Sequence, residues 1–231
     1  MTADTHLVTD QLSNLESPDG LATPGRGTPS GGGVLSSASA SSRSTMLPAA
    51  AVALCGVMAA LLAVSSWISV PFAPVPFTLQ TLAVLVTGGL LGRLWGPVSV
   101  LVYLLIGLVG VPVFAGFQGG PGTLFGPLGG FLFGFVLAAF IMGSATDLAR
   151  RRGLRAKSSL VILCLGAAAA ALAIYLPGLP WLMASTGLPL SKALSAAFFP
   201  FLIPDALKVV AAVGLIRAVD AALGQQGLRR F

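Results

Sequence analysis

Between Met46 and Thr146 the only Asp, Glu, Lys, Arg or His is Arg93. A soluble domain carries about 25% charged residues because its surface faces water; here the share is 9% over the whole chain, against 55% hydrophobic. With a mean hydropathy of +0.93, the chain is neither an ordinary water-soluble globule nor a disordered polymer, which lacks apolar surface to bury. Its 29 glycines follow no three-residue repeat, which excludes collagen. Cys55 and Cys164 lie inside apolar runs and mark no disulfide framework. The class that remains is an all-α membrane protein.

The net charge of +6 and pI of about 10.2 do not point to nucleic acid, because the charges form no continuous basic face. Residues 1–46 differ from the rest. They hold Asp4, Asp10, Glu16 and Asp19, three consecutive glycines at 31–33 and a Ser-rich stretch at 36–44. That composition reads as a flexible cytoplasmic tail without the order of a secretory signal. His6, the one histidine, lies there. The domain division expected is therefore a 1–46 tail and a 47–231 membrane domain.

A helix needs roughly 20 apolar residues to cross a bilayer. Six spans fit, at about 47–66, 77–92, 97–113, 130–148, 159–182 and 204–222. With both termini cytoplasmic, Arg26, Arg43, Arg93, the basic block at 150–157, Arg217, Arg229 and Arg230 fall on the cytoplasmic side, and Lys192 alone outside. This satisfies the positive-inside preference. The 150–157 block is then a topological anchor, with Asp147 and Asp220 beside basic residues. The external connections, 67–77 and 112–130, are uncharged and rich in glycine and proline. Loops so apolar are expected to fold over the bundle, where irregular backbone lines a protein cavity rather than meeting lipid. The expected architecture is six transmembrane helices with external loops lidding an outward-facing pocket.

Four features carry chemistry. Asp205 and Lys208 stand three apart on one helical face of the last span; charges at membrane depth mark a functional site by default. Their alternatives are a structural ion pair or a donor and acceptor for a polar ligand. The stretch Gly116-Phe117-Gln118-Gly119-Gly120-Pro121-Gly122-Thr123 either lets backbone approach a ligand, with Gln118 adding an amide, or is a flexible turn. No Gly-Lys-Ser/Thr follows, so it is not a P-loop. The proline-rich segment from Val70 to Gln80 presents Trp67, Phe72 and Phe77, as cavity wall or as interface belt; Tyr175 and Trp181 share that ambiguity. Small residues at Ala49, Ala53, Gly56 and Ala60 form a stripe for close helix packing, within the chain or against another subunit. No histidine–cysteine–carboxylate cluster is present, so neither metal nor cofactor is expected.

The run Ser66-Trp67-Ile68-Ser69-Val70-Pro71-Phe72, then Pro74-Val75-Pro76-Phe77-Thr78-Leu79-Gln80, resembles the biotin-specific substrate-binding subunit (BioY type) of energy-coupling factor (ECF) transporters. Gly107-Leu108-Val109-Gly110-Val111-Pro112, Gly126-Pro127-Leu128-Gly129-Gly130-Phe131 and the segment from Pro200 to Lys208 extend the likeness over roughly 50–220. The resemblance implies a non-enzymatic six-helix S component in a bacterial cytoplasmic membrane that captures biotin from outside. Implied partners are a transmembrane coupling protein and paired ATPases, with a homo-oligomer also open. It places polar ligand contacts at Gln118, Asp205 and Lys208, with Gln80 nearby, and the coupling protein against Ala49, Ala53, Gly56 and Ala60. Trp67, Phe77 and the loop of Gly116, Gly119 and Gly120 would wall the ring. Two departures stand out: Ile203-Pro204-Asp205 replaces Pro-Gly-Asp, and Leu132 replaces an arginine that some members carry. The rival readings are an S component for another vitamin, and an intramembrane enzyme or proton-coupled channel using Asp205.

Overall fold

The computed structural model describes residues 48–71, 75–153 and 156–225. The expected tail, with Arg26 and Arg43, lies outside the described residues, as do Phe72, Arg155, Arg229 and Arg230. The described chain is a helical bundle. In order it comprises α1 (Pro48–Trp67), strands β1 (Ser69–Val70) and β2 (Phe77–Thr78), and α2 (Gln80–Leu108). There follow α3 (Pro121–Leu124), α4 (Gly129–Arg152), α5 (Lys157–Ala173), α6 (Tyr175–Thr186), α7 (Leu190–Ala197), a 3₁₀ turn at Phe199–Phe201 and α8 (Leu202–Gln225).

Five helical stretches are long and apolar enough to cross a membrane. The second is itself a hairpin. Gly92 has φ 77° and ψ −174°, outside the helical region, inside α2. A Cβ on Gly96 would stand 2.8 Å from the Cα of Gly88, although eight helical residues span about 12 Å along an axis. The amide of Gln80 meets the hydroxyl of Tyr103 at 2.7 Å, which needs the same antiparallel fold-back. The two arms of α2 are thus the second and third expected spans, joined at one glycine rather than by a 93–96 loop. The fifth expected span is also interrupted, between α5 and α6. Pro177 has no N–H to give the carbonyl of Ala173, four residues back, so the regular ladder stops there.

Helix α4 packs against α2, α5 and α6, and glycines set its distance. A side chain on Gly134 would meet the Ile174 carbonyl at 2.6 Å, and one on Gly88 would meet the Ala139 carbonyl at 2.5 Å. Around these contacts lie the buried Leu62, Val84, Leu85, Val100, Met142, Leu163 and Ile216. Outside, Val52, Leu105, Leu165, Leu176, Ile203 and Val210 are exposed, as lipid-facing side chains are.

The two ends of the bundle differ. At one, Arg150 Nη2 donates to the carbonyls of Gly89 (3.1 Å) and Leu90 (3.2 Å) and to Asp220 (3.3 Å), while Nη1 stands 3.7 Å from Asp147. Asp147 also accepts the backbone N–H of Arg93. Arg150 therefore satisfies carbonyls that the end of an α2 arm leaves open. At the other end, β1 and β2 pair antiparallel with Ser69 opposite Thr78 and Val70 opposite Phe77. The Phe114 N–H bonds the Gln118 carbonyl across a turn at Gly116 and Phe117, both with positive φ. The apolar loops are folded, as expected.

Candidate functional site

The folded loops close over a cavity of about 330 Å³. Ser69, Pro71, Val75, Pro76 and Thr78 line it from the strand segment; Phe114, Ala115, Gly116, Gln118, Thr123 and Leu128 from the second loop. The helices contribute Gln80 and Thr81, Phe131, Leu132 and Phe135, Tyr175, Ala197, Asp205 and Lys208. An apolar hollow with a few converging polar groups is the usual form of a small-molecule site.

Its polar centre is the start of α8. Pro204 and Asp205 occupy the first turn, where the helix dipole favours the carboxylate. Lys208, one turn on, donates to Asp205 Oδ1 at 3.0 Å. Tyr175, which α6 brings across, donates its hydroxyl to Oδ2 at 2.6 Å. Asp205 is only 8% exposed. A buried carboxylate is tolerable here because both oxygens have partners, and the ammonium keeps further N–H groups for a ligand.

Six of the ten expected ligand positions, Asp205, Lys208, Gln118, Gly116, Gln80 and Tyr175, line this cavity. The other four stand behind or beside its wall. Trp67 donates its indole N–H to the Pro112 carbonyl at 2.9 Å and stacks on Phe117 at 5.3 Å. Phe77 stacks at 4.2 Å on Phe201, and it is Phe201 that lines the cavity. Gly119 lies against the backbone of Val111, where a Cβ would not fit. Gly120 precedes α3 with φ 85° and donates its N–H to the Gly107 carbonyl.

Sequence reasoning missed the aromatic wall of Phe131, Phe135 and Phe201, since no periodicity separates a cavity face from a lipid face on a helix that is apolar all round. It also passed over Tyr103, although a phenol inside an apolar span needs a hydrogen-bond partner. Leu132, where an arginine was noted as absent, lines the cavity as an apolar residue. On the exposed side of α1, the stripe of Ala49, Ala53, Gly56 and Ala60 is uncovered.

Residues 38–225 match the model of the BioY family. The chain belongs to the BioY family. Among its relatives, the biotin transporter BioY of Thermotoga maritima is 39% identical over 68% of this chain and 88% of its own length. The probable biotin transporter BioY of Pyrococcus horikoshii is 39% identical over 70% and 91%. The crystal structure of the S-component for biotin from an ECF-type ABC transporter superposes with a TM-score of 0.64 at 26% identity. That match covers 75% of this BioY-family chain and 92% of the solved one. The family is one of membrane transporters, which sets aside an enzymatic use of Asp205.

Proposed function

We propose that this chain is the biotin-binding subunit of a vitamin uptake transporter, with the loop-lidded cavity as its binding site. The observation that carries the reading is the buried Asp205–Lys208 pair in the wall of a largely apolar cavity, in a chain whose relatives are named biotin transporters. Biotin combines an apolar bicyclic ring and chain with a carboxylate and a ureido group. Asp205 and Lys208, only 3.0 Å apart, together meet one polar end of biotin and Gln118 meets the other, with Phe131 and Phe135 flanking the apolar parts. The reverse orientation would exchange the polar roles without changing the residues.

Polarity across the membrane follows from charge. Arg93, Arg150 and Arg151 share the end opposite the cavity, so the positive-inside preference puts that end in the cytoplasm and opens the cavity outward. Helix α1 starts, and α8 ends, on that same side, which makes both termini cytoplasmic. Radiolabelled biotin, thiamine, riboflavin and pantothenate titrated onto the purified full chain test the reading. Saturable binding of biotin alone is expected; no biotin binding, or equal binding of a second vitamin, overturns it.

Uptake needs energy, and a coupling protein with paired ATPases is the source this reading assigns; the solved relative, an S-component from an ECF-type ABC transporter, supports it. The stripe on α1 is the docking face that fits, because a Cβ on Gly56 meets nothing within 4 Å and small residues admit a second helix closely. Gly56→Leu is expected to leave biotin binding unchanged and abolish copurification with the coupling protein. Undiminished copurification would remove α1 from that interface.

A further inference from the structure

Behind the cavity wall, Tyr103 holds two of the residues that line it. Its side chain is 1% exposed and is not itself part of the lining. The hydroxyl donates to the Val113 carbonyl at 3.0 Å, a carbonyl also reached by Ser66 Oγ at 2.6 Å. A phenol has one proton, so with that proton on Val113 the oxygen acts as acceptor toward Gln80, whose Nε2 stands 2.7 Å away. The ring also meets Phe114 edge-on with centroids 5.5 Å apart. Phe114 in turn fills the space left by the missing side chain of Gly107. Tyr103 and Tyr175 are the two tyrosines of the chain, and each is bonded to a polar side chain of the cavity.

We infer that Tyr103 is a positioning residue for ligand recognition: it fixes the amide of Gln80 nitrogen-first against itself, so that the amide oxygen faces the ligand. The site then presents an acceptor at Gln80 and selects a ligand with a ring N–H at that point. A glutamine amide carries both a donor NH2 and an acceptor oxygen; one pinned at its nitrogen presents the oxygen. This rests on the biotin reading, in which the ureido nitrogens are the donors available.

A double-variant cycle on the full chain tests it, with biotin affinity and Tm measured for the unsubstituted protein, Tyr103→Phe, Gln80→Ala and the pair. Tyr103→Phe is expected to weaken binding about fivefold, the loss of one neutral hydrogen bond, and to add nothing in the Gln80→Ala background. A purely structural role would lower affinity by the same factor in both backgrounds. The second arm needs no change at Tyr103: biotin methylated in turn at each ureido nitrogen. One isomer is expected to lose affinity for the unsubstituted chain and not for Gln80→Ala. Absence of biotin binding by the unsubstituted chain would sink the functional reading itself. With that binding intact, losses that multiply in the pair, a Tyr103→Phe affinity within about twofold of the original, or indifference to both methylated isomers would overturn the role of Tyr103 alone.

Discussion

Asp205→Asn is expected to weaken biotin binding at least about tenfold, because it removes one charge-assisted partner worth roughly 1.5–3 kcal/mol. Binding loss alone would not separate a ligand contact from a structural ion pair, since either would deform the cavity when broken. The geometry provides the separation. Asp205 and Lys208 side chains are each 11% exposed, so the single substitution leaves a buried ammonium without its counter-ion, a defect of about 3–5 kcal/mol. Replacing both groups by neutral side chains of similar volume removes that defect. Asp205→Asn combined with Lys208→Met is therefore expected to recover the Tm that Asp205→Asn loses, and to recover none of the affinity. Calorimetric titration and thermal unfolding in detergent read the two quantities. A double variant that regains biotin binding along with its stability would reduce the pair to scaffolding.

That pair was visible in the sequence for a reason particular to such chains. In a membrane span each ionisable residue is conspicuous because its burial is costly, and Asp205 and Lys208 indeed meet inside a cavity. The spans expected at 47–66, 130–148 and 204–222 correspond to α1, α4 and α8 within a few residues, since sustained apolar length is what a bilayer demands. Depth was not legible. Phe77 shares a proline-rich segment with cavity residues such as Val75 and Thr78, yet packs on Phe201, and Trp67, the last residue of α1, packs on Phe117. Which side of an extended segment faces inward is decided by the β1–β2 pairing, made between residues whose sequence reads as loop. The turn at Gly92 escaped for a related reason: one residue with positive φ reverses the chain, where a hydropathy profile anticipates a connecting loop.

Gly143→Leu should lower Tm by about 2–12 °C and weaken biotin binding with it, although Gly143 lies twelve residues along α4 from the cavity residue Phe131, about 18 Å along the axis. A side chain at Gly143 would overlap the backbone of Gly92 and Arg93 at the turn of α2. Those atoms cannot swing aside as a flexible side chain would. Gly92 itself is held closely, since a Cβ there would stand 2.8 Å from Asp147 Oδ1, and Arg150 binds the carbonyls of Gly89 and Leu90 just before it. The helices must therefore part. Overpacking of this kind costs about 1–3 kcal/mol or more, and in a domain of this size each kcal/mol lowers Tm by about 2–4 °C. The consequence reaches the site because the two arms of α2 carry Gln80 and Tyr103 at their far ends. Gly214→Leu supplies the matched comparison: a Cβ there meets nothing within 4 Å, so the same bulk on α8 is expected to leave Tm and biotin affinity unchanged. Equal behaviour of the two variants would mean that the turn is free to move away from α4, and that backbone contact between them does not set the position of the cavity wall.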